Sequence, residues 1–248
     1  MSKQIPDVIF DIDDVVLNWM DGFKNWLADE NGIIMTIPPQ GLRYSAIEEC
    51  FHGQSRTEIF ALIKDFSTSP SFAHLQPYPG TKEFLDSVAN AGINIHALSA
   101  CGTGITADLR RDGLSEYLGW KTDWPFHALP LGASKFDALK EGFDPNLGVM
   151  IDDHFGHVVS ARKAGLNAIW HRSNSHIMFC PEEDKSFSET PTNSWQECGQ
   201  KLVGIVQAIS PETAHTLALN LSARPDMTMK QSLRTSATAV MPAPSGPF

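Results

Sequence analysis

The chain predicts an α/β fold built on a parallel sheet with helices on both faces, and three observations carry that expectation. Asp7-Val-Ile-Phe10 is a short apolar run that stops abruptly at Asp11-Ile12-Asp13-Asp14, as a central strand buried on both faces stops at its loop. From Thr81 onward helical and extended patterns alternate, the mark of strand–helix–strand units. Asp11, Ser99 and Asp152 each stand where an extended run ends, and in a parallel sheet such ends share one edge, where ligands bind.

Each element follows from local pattern. Leu17 to Glu30 reads as a helix, with Trp19, Phe23, Trp26 and Leu27 at helical spacing and Asn31-Gly32 as its stop. Pro38-Pro39 and Gly41 break the next stretch into loop. Ser55-Arg-Thr-Glu58 has the form of a capping box and opens a helix to about Phe66. Pro70, Pro77 and Pro79 mark another irregular stretch. Then follow a helix over Thr81 to Asn90, a strand over Ile93 to Leu98 and a helix over Ile105 to Leu118. A short extended segment falls within Trp120 to Leu129. A helix begins at Lys135, a strand covers Leu147 to Ile151, a helix covers Phe155 to Ala164, and a strand covers Asn167 to His171. Ser173 to Asn193 reads as a surface loop, and Trp195 to Ile209 as a final helix. The expected division is a core of 1–17 and 80–209, a helical cap of 18–79, and a tail of 210–248 without order. The end of that tail is rich in Ser, Thr, Ala and Pro.

Composition narrows the function classes. With 248 residues and 42% hydrophobic content the chain can bury a full core. A net charge of -10 argues against a nucleic-acid polymer or an anionic membrane as partner, because both require a basic face. Cys50, Cys101, Cys180 and Cys198 form no CxxC and read as reduced thiols. The first residues lack an apolar core for a signal peptide. No run approaches the ~18 apolar residues of a membrane span. The expected location is the cytoplasm.

The acidic turn carries the chemistry. Three carboxylates packed so tightly repel one another, and a divalent cation is a common remedy. Phosphoryl transfer requires a positioned nucleophile, charge neutralisation and a proton donor. Asp11 suits the nucleophile and Asp13 the general acid and base. Ser99 and the amide of Ala100 suit phosphate oxygens, and Lys135 offsets charge. Asp152 is expected to hold magnesium (Mg2+) with Asp11 and a backbone carbonyl at Asp13, with Asp153 behind them. Asp14 reads as facing solvent or supporting its neighbours. His154 and His157 have ligand spacing without an evident third ligand, and His171 and His176 read as surface residues. Cys101 reads as a small buried thiol.

The set Asp11-Ile-Asp13, Leu98-Ser99, Lys135 and Ile151-Asp152-Asp153, in that order over roughly residues 5–172, resembles the haloacid dehalogenase (HAD) superfamily. The resemblance implies a Rossmann-like sheet, a helical cap after the first motif, magnesium and, from Asp13, phosphatase chemistry. Ser69-Pro-Ser-Phe72-Ala-His-Leu-Gln-Pro-Tyr-Pro79-Gly80 is similar to the cap exit of the 5'(3')-deoxyribonucleotidases. Two departures stand out: Asp14 takes a position where glycine is common, and Ala100 follows Ser99 where proline does. The family reading implies a nucleoside monophosphate whose base stacks on cap aromatics, with Phe72, Phe23 and Trp19 as candidates. The Trp19–Phe23–Trp26 stripe also reads as an ordinary core face. Other readings keep the site for a sugar phosphate or another small metabolite, or make the chain a non-catalytic binding protein with this fold. The expected partner is a small phosphorylated metabolite, with a homodimer as a further possibility.

Overall fold

The computed structural model describes residues 4–38, 44–173 and 189–224. Five strands form one sheet in the order β3-β2-β1-β4-β5, every pair parallel: β1 (Asp7–Phe10), β2 (Asn94–Ser99), β3 (Phe126–Ala128), β4 (Gly148–Asp152) and β5 (Asn167–Trp170). β1 is central, with Val8 beside Ile95 on one side and Val149 on the other. Val8, Ile9 and Phe10 are wholly buried, as their uninterrupted apolar character requires. Successive side chains of a strand point to opposite faces. Val8 and Phe10 accordingly join the large cluster with Phe84, Val88, Trp195 and Leu202, whereas Ile9 joins Leu98, Leu139, Met150 and Leu166.

The helices between strands are α3 (Thr81–Asn90), α4 (Ile105–Leu118), α5 (Phe136–Gly142) and α6 (Phe155–Lys163), with α7 (Trp195–Ile209) after β5. Between β1 and α3 lie only helical elements: α1 (Trp19–Asn31), a 3-10 stretch Tyr44–Cys50, α2 (Arg56–Thr68) and a 3-10 turn Pro70–Phe72. α1 starts at Trp19 rather than Leu17, because Asn18 caps it, its side chain accepting from the Asp21 amide. The capping box at Ser55 and Glu58 is present in full. Phe23 packs between Trp19, 4.9 Å away and stacked, and Trp26 at 6.2 Å, so the aromatic stripe forms a core face.

The end of the chain differs from expectation. Residues 211–222, placed in a tail without order, form the helix α8 (Pro211–Ser222). Its face Ala214 and Leu217 is buried, and Asn220 donates to the Ser87 carbonyl of α3 at 3.0 Å. The weak amphipathic pattern of α8 is enough because α3 and α7 already offer a surface to pack on. Residues 225–248 of the expected tail, most of the 173–193 loop with His176, and Cys180 lie outside the described residues. No helix among the described residues is long and apolar enough to cross a membrane.

Candidate active site

A cavity of about 380 Å³ opens at the carboxyl edge of the sheet. The sheet edge supplies Asp11, Asp13, Ser99, Ala100, Lys135 and Asp153 to its lining, and the segment between β1 and α3 supplies Trp19, Phe60, Ile63, Ser67 and Phe72. The polar residues come from four separate places in the chain. They meet because β1, β2 and β4 are adjacent and parallel and therefore end together.

Asp11 follows β1, and its amide donates to the Ile151 carbonyl at 2.9 Å, extending the β1–β4 pairing into the site. Its Oδ1 accepts from the Ile12 amide at 2.8 Å and lies 2.7 Å from Lys135 Nζ. Lys135, fully buried at the head of α5, also donates to Asp152 Oδ2 at 2.7 Å. A buried ammonium between two carboxylates offsets charge that the site could not otherwise hold. Burial opposes the charge on Lys135, but the two aspartates outweigh it and raise the Lys135 pKa. Burial pushes the Asp11 carboxyl up to about 7 against the pull of Lys135. At Asp152 burial is outweighed by Lys135 and His157, so that group stays below the ordinary carboxylate range.

Asp152 and Asp153 end β4 with different partners. Asp152 is held through both oxygens: Oδ2 accepts from Lys135, with His157 Nδ1 3.3 Å away, and Oδ1 accepts from the His154 amide at 2.8 Å. Asp153 lines the cavity, and its buried Oδ2 has no hydrogen-bond partner among the described residues. Burial and the neighbouring Asp152, Asp11 and Asp14 raise its pKa well above the usual carboxylate value. The donor atoms fit a divalent cation. Asp11, Asp152 and His157 offer ligand atoms within 4.8 Å of one another, and the orphaned Asp153 oxygen is one that positive charge would satisfy.

Asp13 is held from two sides. Ser99 Oγ donates to Oδ2 at 3.3 Å, and Arg110 Nη2 forms an ion pair with Oδ1. Arg110 belongs to α4 and was not singled out in the sequence. Its signal is the spacing of Ala107, Arg110 and Leu114 along the buried face of α4, an apolar stripe with one arginine in it. His157 entered only through its spacing with His154. Phe60 and Ile63 were also missed, although Ile59, Ile63 and Phe66 mark the inward face of α2.

Burial corrects two expectations, those for Phe23 and His171, and decides a third, since Asp14 supports its neighbours rather than facing solvent. Phe23 is wholly buried in the aromatic stack and is not among the cavity residues, unlike Trp19 and Phe72. Asp14 is wholly buried. It adopts φ 60°, the left-handed conformation that aspartate tolerates better than most side chains. Its Oδ1 accepts from the Met20 amide at 3.0 Å and the Tyr78 hydroxyl at 2.9 Å, so it ties the turn to α1 and to the stretch before α3. His171 is also wholly buried, between Thr192 Oγ1 at 2.9 Å and Ser173 Oγ at 3.0 Å and against Trp195. Cys101 lines the cavity as a buried thiol, and burial with Asp13 nearby pushes it up to about 11, so it is no ready nucleophile.

No protein-family model matches the chain, and no curated protein matches it in sequence. Solved structures do match its fold. A predicted phosphatase from Clostridium acetobutylicum shares 18% identity at a TM-score of 0.56, over 82% of this chain and 100% of that one. A haloacid dehalogenase-like protein of unknown function from Agrobacterium tumefaciens shares 17% at 0.55, over 82% and 99%. A HAD family hydrolase from Deinococcus radiodurans, solved with phosphate and sodium, shares 17% at 0.51, over 83% and 98%. The chain therefore has the α/β fold of the haloacid dehalogenase-like hydrolases.

Proposed function

We propose that the protein is a magnesium-dependent phosphomonoester hydrolase that works through an aspartyl-phosphate. The observation that carries this reading is the convergence of Asp11, Asp13, Ser99, Lys135 and Asp153 on one cavity. The phosphate bound to the Deinococcus radiodurans hydrolase of the same fold supports it.

The chain's own groups divide the work. Lys135 and the Ile12 amide hold Asp11 Oδ1, which leaves Oδ2 to attack phosphorus as the bond to the leaving oxygen breaks. Asp13 enters this step protonated on Oδ2, with Oδ1 still held by Arg110, and gives that proton to the leaving oxygen, so a neutral alcohol departs. In the second half Asp13 takes a proton from water as the water oxygen attacks phosphorus, and phosphate and the free Asp11 carboxylate are regenerated. Ser99 and Ala100 line the cavity, and the Ala100 amide together with the Ser99 hydroxyl, once it turns from Asp13, serves as donor to the phosphoryl oxygens. Asp11, with Asp152 or Asp153 and the Asp13 carbonyl, would hold magnesium, which would supply positive charge to the reacting phosphate. The unpaired Asp153 oxygen favours Asp153 over Asp152 in that set.

The segment 18–79 then acts as the cap. Trp19, Phe60, Ile63 and Phe72 give the cavity an apolar and mostly aromatic lining from the cap side, which supports a substrate with a planar ring, a nucleoside monophosphate above all. Stacking on such a wall contributes roughly 1–3 kcal/mol per base. A sugar phosphate has less support. Of the cap residues that line the cavity, Ser67 and Trp19 carry a polar side-chain group, one hydroxyl and one indole N–H, and the Ser67 hydroxyl already donates to the Ile63 carbonyl at 2.7 Å.

Phosphate release from 5'- and 3'-nucleotides, deoxynucleotides and sugar phosphates tests the reading. It is measured with magnesium and with chelator, for wild type and Asp11→Asn. Magnesium-dependent release that Asp11→Asn abolishes is expected, with nucleotides preferred. Release by Asp11→Asn at the wild-type rate would remove the nucleophile, and comparable or faster turnover of sugar phosphates would remove the nucleotide preference.

A further inference from the structure

Arg110 is wholly buried, yet it does not line the cavity. Its guanidinium is used on three sides. Nη2 pairs with Asp13 Oδ1, Nη1 donates to the Phe72 carbonyl at 3.1 Å, and Cζ lies 3.8 Å above the centre of the Phe72 ring. The close approach of α4 to the Pro70–Phe72 turn is built in. A Cβ at Gly113, one turn beyond Arg110, would stand 2.4 Å from the Ala73 carbonyl oxygen, a distance no side chain tolerates. Burying an ion pair commonly costs more than its attraction returns, and an apolar chain of similar volume would serve the packing. The arrangement is therefore better explained by what it does to Asp13.

We propose that Arg110 is a positioning residue for Asp13: by fixing Oδ1 it leaves Oδ2, on the Ser99 side, as the oxygen that meets the leaving group, and by stacking on Phe72 it ties that orientation to the substrate wall. This rests on the phosphatase reading above. The planar fork of arginine suits the task, since it can bond a carboxylate and a carbonyl at once and still stack on a ring. Without it the Asp13 carboxylate can rotate, and proton delivery suffers while the attack by Asp11 does not.

Leaving groups separate those two steps. p-Nitrophenolate departs readily without a proton, whereas an alkoxide requires one. kcat and KM are measured with magnesium on p-nitrophenyl phosphate and on ethyl phosphate. The proteins are wild type, Arg110→Met, Arg110→Lys, Asp13→Asn and the Asp13→Asn/Arg110→Met double variant, and thermal melts establish that each is folded. The expected result for Arg110→Met is a loss of kcat on ethyl phosphate at least about tenfold larger than on p-nitrophenyl phosphate. Adding Arg110→Met to Asp13→Asn should change nothing further, because neighbours that act as a unit are not additive. Arg110→Lys keeps the charge without the fork and should show the same selective loss; it carries the test if Arg110→Met does not fold. Equal losses on both esters, or a further loss on top of Asp13→Asn, would show a merely structural role and overturn the proposal while leaving the phosphatase reading intact. A wild type that hydrolyses neither these esters nor any nucleotide or sugar phosphate overturns that reading, and this proposal with it; if only nucleotides are turned over, the comparison is made on a nucleoside 5'-monophosphate, where an Arg110→Met loss that persists on top of Asp13→Asn overturns the proposal.

Discussion

Replacing His171 by leucine should flatten the dependence of stability on pH. His171 is wholly buried, and burial holds its pKa down to about 3, against an ordinary 6.5. The unfolded chain therefore binds a proton at this position below pH 6.5 and the folded chain does not. The stability this neutral histidine contributes is present above 6.5 and is lost as pH falls toward about 3. At about 1.4 kcal/mol per unit, a drop from pH 7 to 4.5 costs the wild type roughly 2.5 kcal/mol through His171 alone. The leucine variant loses two hydrogen bonds but strands no partner. Thr192 Oγ1 can still donate to the Trp170 carbonyl at 3.3 Å, and Ser173 Oγ donates to the Val15 carbonyl at 2.8 Å. Other acid-sensitive groups act equally in both proteins and cancel in the difference. Urea unfolding of both at pH 7 and 4.5 gives the comparison. If His171→Leu loses as much stability over that interval as wild type, within about 0.5 kcal/mol, the linkage is refuted.

Two further outcomes follow from the acidic turn. Asp14→Gly removes the bonds to Met20 and Tyr78 but suits φ 60°, whereas Asp14→Ala removes the same bonds and adds strain. The alanine variant should be the less stable by about 1 kcal/mol in urea unfolding, and an alanine variant as stable as the glycine one would contradict the strain. Burial pushes the Asp11 carboxyl up to about 7, so below that pH it holds a proton and cannot attack. Activity should fall as pH drops through this range. A higher magnesium concentration should move the fall to lower pH, because cation and proton compete for one carboxylate; pH–rate profiles at two magnesium concentrations check this, and an unmoved limb counts against Asp11 as a ligand.

Much of this molecule was legible in its sequence, because strand ends and helix starts carry local signals. The apolar run before Asp11 could only be a buried central strand, and parallel pairing then placed Asp11, Ser99 and Asp152 on one edge. Lys135 was visible as a lone cation opening a helix between two such ends, and Ser55 with Glu58 announced α2. What tertiary structure decided was the orientation and burial of side chains. No local pattern shows that Arg110 turns inward to Asp13, since the arginine beside it, Arg111, reaches outward to Asp108. His171 reads as polar and is buried because β5 carries it beneath Trp195. Phe23 belongs to the core rather than the cavity: it is wholly buried and stacked on Trp19, which lines the cavity while Phe23 does not. Asp14 could take the place of glycine because Met20 and Tyr78, one six residues away and the other sixty-four, converge on its carboxylate. Periodicity and turn chemistry act between neighbours in the chain. Which side chain meets which across the core depends on how whole elements pack, and that is settled only when all of them are in place.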